Sequence, residues 1–224
     1  MEAGGPESPE SVAALERLCQ SYWYPLYVVV RRKGHSPHDA QDLTQEFFAR
    51  FLERKYVALA DQSRGKFRTF MLRSLEHFLI NEWEKATAAK RGGERRSISW
   101  DAQDAESRYL LEPADVASPD KVFEKRWAMS LLDLVMSRLR EEYSTPEKRQ
   151  FFDAVKNSLW GESAAVPYAE IGARLGMAEG AVKVAAYRMR ERYRELLRAE
   201  VGHTVSTSAE VDEELRYLAA ALRS

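Results

Sequence analysis

Between Pro167 and Arg194 the chain reads PYAEIGARLGMAEGAVKVAAYRMRERYR, and Gly172, Gly176 and Val182 restrict its fold more than any other residues. Pro167 suits a helix start, because the donor it lacks is one that a first turn leaves unpaired. Tyr168, Ile171 and Leu175 then fall at i, i+3 and i+7 and make one apolar face. Gly172 stands where two helices must approach closely, and Gly176 where the turn needs a left-handed backbone. Val182 is the expected buried anchor of a second helix that starts near Ala178–Glu179. This spacing lets two short helices cross and share a core, the pattern of a helix-turn-helix whose second helix enters the DNA major groove.

On that second helix Val182, Ala186, Met189, Tyr193 and Leu196 form the expected inner face. Lys183, Tyr187, Arg190 and Arg194 line the expected outer one. From Ala178 to Arg198 there are six basic and three acidic residues, a net +3. An exposed positive face attracts phosphates, and the first turns of such a helix reach base edges. A solvated amphipathic helix carries the same charge. The turn glycine and the preceding helix favour DNA.

The rest of the chain reads as helix. Strict apolar–polar alternation is absent, and most segments carry helical periodicity. The 224 residues are 45% hydrophobic and 31% charged, enough for one large or two small domains with real cores. The longest apolar runs are too short to cross a bilayer. The start, MEAGGPESPE, is acidic and is expected not to be a secretion signal. Cys19 is the only cysteine, so a disulfide within the chain is excluded and a reducing, cytoplasmic setting is expected. Burial in the first helix is its expected state.

One helical block runs from about Ser11 to Lys90 and a second from about Lys121 to Val201. Between Asp101 and Lys125 seven acidic residues stand against three basic ones, in a turn-rich stretch that reads as a flexible linker. In the first block Ser36-Pro37-His38-Asp39 is a helix start. The helix after it has Leu43, Phe47, Phe48, Phe51 and Leu52 on one face and Asp39, Asp42, Glu46 and Glu53 on the other. Such an acidic stripe is either solvated surface or a dock for a basic partner. From Arg64 to Arg96 nine basic residues outweigh four acidic ones, with Phe67, Phe70, Phe78 and Trp83 interleaved. That mixture suits single-stranded nucleic acid, with rings for bases and cations for phosphates. Helical spacing puts Phe70 and Phe78 in the core and leaves Phe67 or Trp83 to stack.

Signals for catalysis are missing. No phosphate-binding loop, dinucleotide glycine pattern or nucleophile elbow is present, and no acidic pair makes a catalytic frame. His35, His38 and Asp39 are too few for a metal site. A non-enzyme without metal or cofactor is expected.

These segments together resemble a bacterial RNA polymerase sigma factor of the extracytoplasmic-function class. DAQDLTQEFFARFLE (Asp39–Glu53) is similar to the family's region 2.2, FRTFMLRSLEHFLINEWEKATAAKR (Phe67–Arg91) to regions 2.3 and 2.4, and PYAEIGARLGMAEGAVKVAAYRMR to region 4.2. Leu131–Trp160 then stands for region 4.1. The resemblance implies an all-α fold with region 2 at 11–96, a linker at 97–120, region 4 at 121–201 and an amphipathic C-terminal extension at 202–224. It implies docking on core RNA polymerase through Asp39, Asp42, Gln45, Glu46 and Phe47. It implies recognition of a melted −10 element through Asn81, Lys85, Lys90 and Arg91. It implies reading of a −35 element through Glu179, Gly180, Lys183, Tyr187, Arg188 and Arg190. Gln41, His77 and Asn81 depart from the family's common residues, which leaves the −10 preference open. The alternative is a stand-alone helix-turn-helix regulator of duplex DNA, which needs neither the acidic stripe nor the basic-aromatic segment.

Regulation would come from an anti-sigma factor or a kinase. Thr44 lies beside the acidic stripe and is the candidate for phosphorylation. In the extension, Val211, Leu215, Leu218 and Leu222 form a stripe that folds back on a domain or docks a regulator.

Overall fold

A computed structural model describes residues 9–53, 66–88, 102–111, 118–160, 166–205 and 207–223. Among the described residues there are nine α-helices and no strand. The chain divides into two compact units, 1–130 with 204–224, and 131–203. The helices are α1 (Pro9–Arg32), α2 (Pro37–Glu53), α3 (Phe67–Ala88), α4 (Ala102–Leu110), α5 (Pro119–Glu142), α6 (Pro146–Val155), α7 (Tyr168–Leu175), α8 (Glu179–Gly202) and α9 (Ser208–Ala221). The side chain of Cys19 and the residues Lys90 and Arg91 lie outside the described residues.

The first unit is built on aromatic packing. Tyr22, Leu26, Tyr27 and Val28 of α1 are buried with Phe47 and Phe51 of α2 and with Met71, Leu75 and Phe78 of α3. Phe47 meets Phe78 edge-on at 5.7 Å, and Phe51 meets Phe70 at 6.1 Å. The start of α2 follows the expected chemistry. The Asp39 amide donates to the Ser36 hydroxyl at 3.1 Å, and that hydroxyl donates to the Asp39 carboxylate at 2.7 Å.

Residues 102–110, inside the stretch that reads as a linker, form α4, and α4 is held against α1. Arg31 makes a forked ion pair to Glu106 (2.9 and 2.8 Å), and the Tyr27 hydroxyl donates to the same carboxylate at 2.5 Å. Arg31 also lies over the Tyr109 ring and Arg108 over that of Tyr24. Hydrogen bonds from Arg31, against the opposing pull of burial, hold the Glu106 carboxyl below its usual range.

The C-terminal extension folds into the first unit as α9. Thr207 caps it in a reciprocal box with Glu210. Val211, Glu214, Leu218 and Ala221 are its buried seam, while Leu215 and Leu222 are half-buried. The seam therefore contains a carboxylate. Glu214 is paired with the equally buried Arg68 and with Lys66 at 3.0 Å. The Arg68 guanidinium stacks 3.8 Å from the Tyr217 ring centre. Burial pulls the Arg68 pKa down, opposed by Tyr217 and Glu124.

In the second unit Val135, Leu139, Phe151, Phe152, Val155, Ile171, Val182, Ala186, Met189 and Tyr193 form one core. Thr145 caps α6 ahead of Pro146. Arg138 pairs with the buried Glu200 of α8.

Two outcomes are expected. Glu214→Ala strands Arg68 without its partner and should lower the stability of the first unit by about 3 kcal/mol in denaturant unfolding of the full chain. The Glu106 carboxyl has a depressed folded pKa, so its contribution is present above the unfolded value of 4.5 and is lost as pH falls through the folded value. Glu106→Gln should flatten the pH dependence of stability below about pH 5, and a profile unchanged from the parent would refute that.

Candidate nucleic-acid interface

The helix-turn-helix is set by backbone contact. Gly176 has φ 67° and ψ 29°, the left-handed conformation at the end of α7. The Met177 amide donates to the Gly172 carbonyl at 2.9 Å. A Cβ on Gly172 would lie 2.5 Å from the Met177 carbonyl oxygen, so only glycine admits this approach. Pro167 is the cap residue of α7 rather than its first helical residue. Ala178 caps α8, and Val182, Ala186, Met189 and Tyr193 are its buried seam.

The expected outer face of α8 divides. Lys183 is exposed and paired with Glu179 at 2.7 Å, and Tyr187 is 59% exposed. Gly180 and Arg188 are exposed. Arg190 turns away from this face. It donates to the Tyr168 hydroxyl and, at 3.4 Å, to the Ser158 carbonyl, so it braces α7 and the short 3-10 turn Lys156–Trp160. Arg192 is held by Glu142 and Glu195, and Arg194 by Glu191. Among the described residues Arg188 is the one cation of α8 with neither an ion pair nor a hydrogen bond.

On α3 the apolar seam Met71–Leu75–Phe78 is buried, and Arg73, His77, Asn81 and Lys85 follow one another at four-residue intervals on an exposed face. Those four line a cleft of about 740 Å³ together with Arg50, Phe47, Phe51, Phe70 and Phe78. Asn81 and Lys85 thus line one cleft. Arg73 and His77 were not among the expected residues, although their i, i+4 spacing with Asn81 is visible in the sequence. Lys85 and Arg50 share the Glu82 carboxylate at 3.0 and 2.6 Å. Burial opposes ionisation of Glu82, but the bonds from Lys85 and Arg50 outweigh it and lower its pKa. Phe67 is half-buried against Tyr22 and Phe51, whereas Trp83 is 67% and Ile80 57% exposed. Of the two rings expected to stack, Trp83 is the one that faces solvent.

The acidic stripe on α2 also divides. Asp39 is exposed, and Asp42 and Glu46 are half-buried. Asp42 lies 3.3 Å from His38, and Glu46 is bound by Arg50. Gln45 and Phe47 are buried, Phe47 in the phenylalanine cluster, so neither is on the surface. Thr44 is fully buried and its hydroxyl donates to the Ala40 carbonyl at 2.7 Å, out of reach of a kinase in this fold. Among the described residues no group of three or more metal-ligating side chains gathers, and no helix is long and apolar enough to cross a membrane.

Residues 18–89, which span most of α1, all of α2 and α3, match the family model of Sigma-70 region 2. The match covers the acidic stripe and the basic cleft of the first unit, and it supports a sigma factor. No curated protein and no solved structure matches the chain.

Gly172→Ala should destabilise the second unit by about 1–3 kcal/mol, because the Met177 carbonyl must move. Gly180→Ala, which meets nothing within 4 Å and lies inside α8, should cost nothing and gain up to about 1 kcal/mol. Thermal unfolding of the two full-length variants checks this, and equal losses would refute the close-approach account.

Proposed function

We propose that the chain is a sigma factor of the extracytoplasmic-function class, which joins core RNA polymerase, directs it to promoters and helps open the DNA. The observation that carries this reading is the Sigma-70 region 2 match at residues 18–89 on the same chain as a glycine-closed helix-turn-helix. The exposed Asp39 and the half-buried Asp42 and Glu46 supply the acids for the polymerase, with Phe47 and Gln45 supporting their helix from inside. Asn81 and Lys85, joined by Arg73 and His77, supply a basic, aromatic-floored cleft for the melted −10 strand, and Trp83 a solvent-exposed ring. Lys90 and Arg91 extend this set in sequence. Lys183, Tyr187 and Arg188, with Glu179 and Gly180, supply the −35 contacts, while Arg190 holds the unit in shape. Polymerisation chemistry belongs to the partner enzyme, and the setting is cytoplasmic. An anti-sigma factor is the regulator that fits such a role. A stand-alone duplex-DNA regulator has no use for a region 2.

Purified chain should bind core polymerase and confer specific initiation in run-off transcription. A chain that never associates with core, yet binds duplex DNA equally well alone, would overturn the reading. Asp42→Lys should weaken core binding about tenfold, as charge reversal at a docking face does. Arg188→Ala should weaken promoter use by about 1–3 kcal/mol while core binding is unchanged.

A further inference from the structure

The buried seam of α8 fixes which residues point furthest from the core. At about 100° per residue, Val184 lies about 200° around the helix from Val182, opposite the seam. Gly180 and Tyr187 flank it on the same outward strip. Val184 is 52% exposed and Tyr187 59% exposed. A Cβ on Gly180 would meet nothing within 4 Å, so the surface beside Val184 is open down to the backbone. Lys183 stands on one side of the strip and the unpaired Arg188 on the other. Over the first turns of α8 the centre of the outer face therefore carries Gly180, Val184 and Tyr187, with the cations Lys183 and Arg188 at its margins; Glu191 and Arg198 take the same strip further along.

In the major groove only one base edge is apolar, the C5 methyl of thymine. Phosphates and guanines call for the flanking cations, and neither rewards a valine between them. We propose that Val184 is a specificity residue that selects a thymine by its methyl group, within the duplex site read by α8. This rests on the DNA-binding role of α8 proposed above. Val184 packs on the methyl, Gly180 lets the backbone come close enough for that contact, and Arg188 reaches a neighbouring base or phosphate. The shallow groove of about 540 Å³ beside Val184, lined by Tyr143, Phe151 and Ala181, gives a protein partner as the rival occupant of this strip.

The test uses the full chain, alone and with core polymerase, on a randomised duplex library, followed by affinity measurements on the enriched site. The parent should enrich a site with one thymine whose replacement by deoxyuridine, which lacks only the methyl, weakens binding about fourfold (~0.8 kcal/mol). Val184→Ala should lose preference at that base pair alone, and its affinity should be the same for thymine and deoxyuridine. Val184→Arg should move the preference at that pair towards guanine. If the parent enriches a site and Val184→Ala enriches the same site with every preference intact, the proposal falls while the DNA reading stands. Loss of a protein partner by that variant, with DNA preference intact, overturns it in favour of the rival. A parent that enriches no site overturns both.

Discussion

The contact between Gly172 and the Met177 carbonyl determines what the second unit can present. No side chain fits between them, since a Cβ would stand 2.5 Å from that oxygen. The closeness sets where α8 begins after the left-handed Gly176, and hence which residues of α8 enter the core. Once Val182, Ala186, Met189 and Tyr193 are inside, the outward strip is fixed by helix geometry alone. Side chains on α8 then have two fates. Arg190, a quarter turn from the strip, reaches back to Tyr168 and Ser158. Val184, Tyr187 and Arg188 stay exposed instead.

The first unit solves a different problem: one helix must serve both a core and a charged surface. α3 does so by giving Met71, Leu75 and Phe78 to the aromatic core and Arg73, His77, Asn81 and Lys85 to the cleft. Arg50 of α2 joins the two helices, bridging Glu46 and Glu82 and lying 5.2 Å over the Phe78 ring. The same arginine neutralises part of the acidic stripe. What remains for the proposed basic partner is the N-terminal half of α2, with Asp39 and Asp42, and Asp39 also sits in the positive first turn of that helix.

How much of this was legible varies with the kind of signal. The helix-turn-helix was readable because glycine spacing and apolar periodicity are local, and Gly172, Gly176 and Val182 are where they were expected. The start of α2 was readable for the same reason. Arg190 was misread as part of the outer face because its partners, Tyr168 and Ser158, are 22 and 32 residues away and no local pattern announces them. Gln45, Phe47 and Thr44 stand next to the acidic stripe in sequence yet face inward, since the phenylalanine cluster rotates α2 to suit α3. The α4 helix was hidden by its acidity. What holds it is Glu106 meeting Arg31, a pair 75 residues apart. In α9 the seam was expected to be wholly apolar, and Glu214 entered it because Arg68 and Lys66 wait there.

The charge count of α8 changes meaning once its partners are known. A net +3 from Ala178 to Arg198 suggests a helix that holds DNA by phosphate attraction. In the structure Lys183, Arg192 and Arg194 face carboxylates of their own unit, and Arg190 is bonded to a hydroxyl and a carbonyl. Each such pair must be loosened or shared before its cation meets a phosphate, and exposed pairs of this kind are worth little either way. Non-specific affinity scales with the number of phosphates neutralised, so on the proposed reading a helix with one uncommitted arginine would bind duplex weakly and discriminate through contacts that are not electrostatic. That is the character expected of one grip among several. A regulator acting alone needs affinity in its reading helix, whereas a chain that also carries a region 2 can spread affinity over a second DNA contact and a protein partner, and leave α8 the task of discrimination.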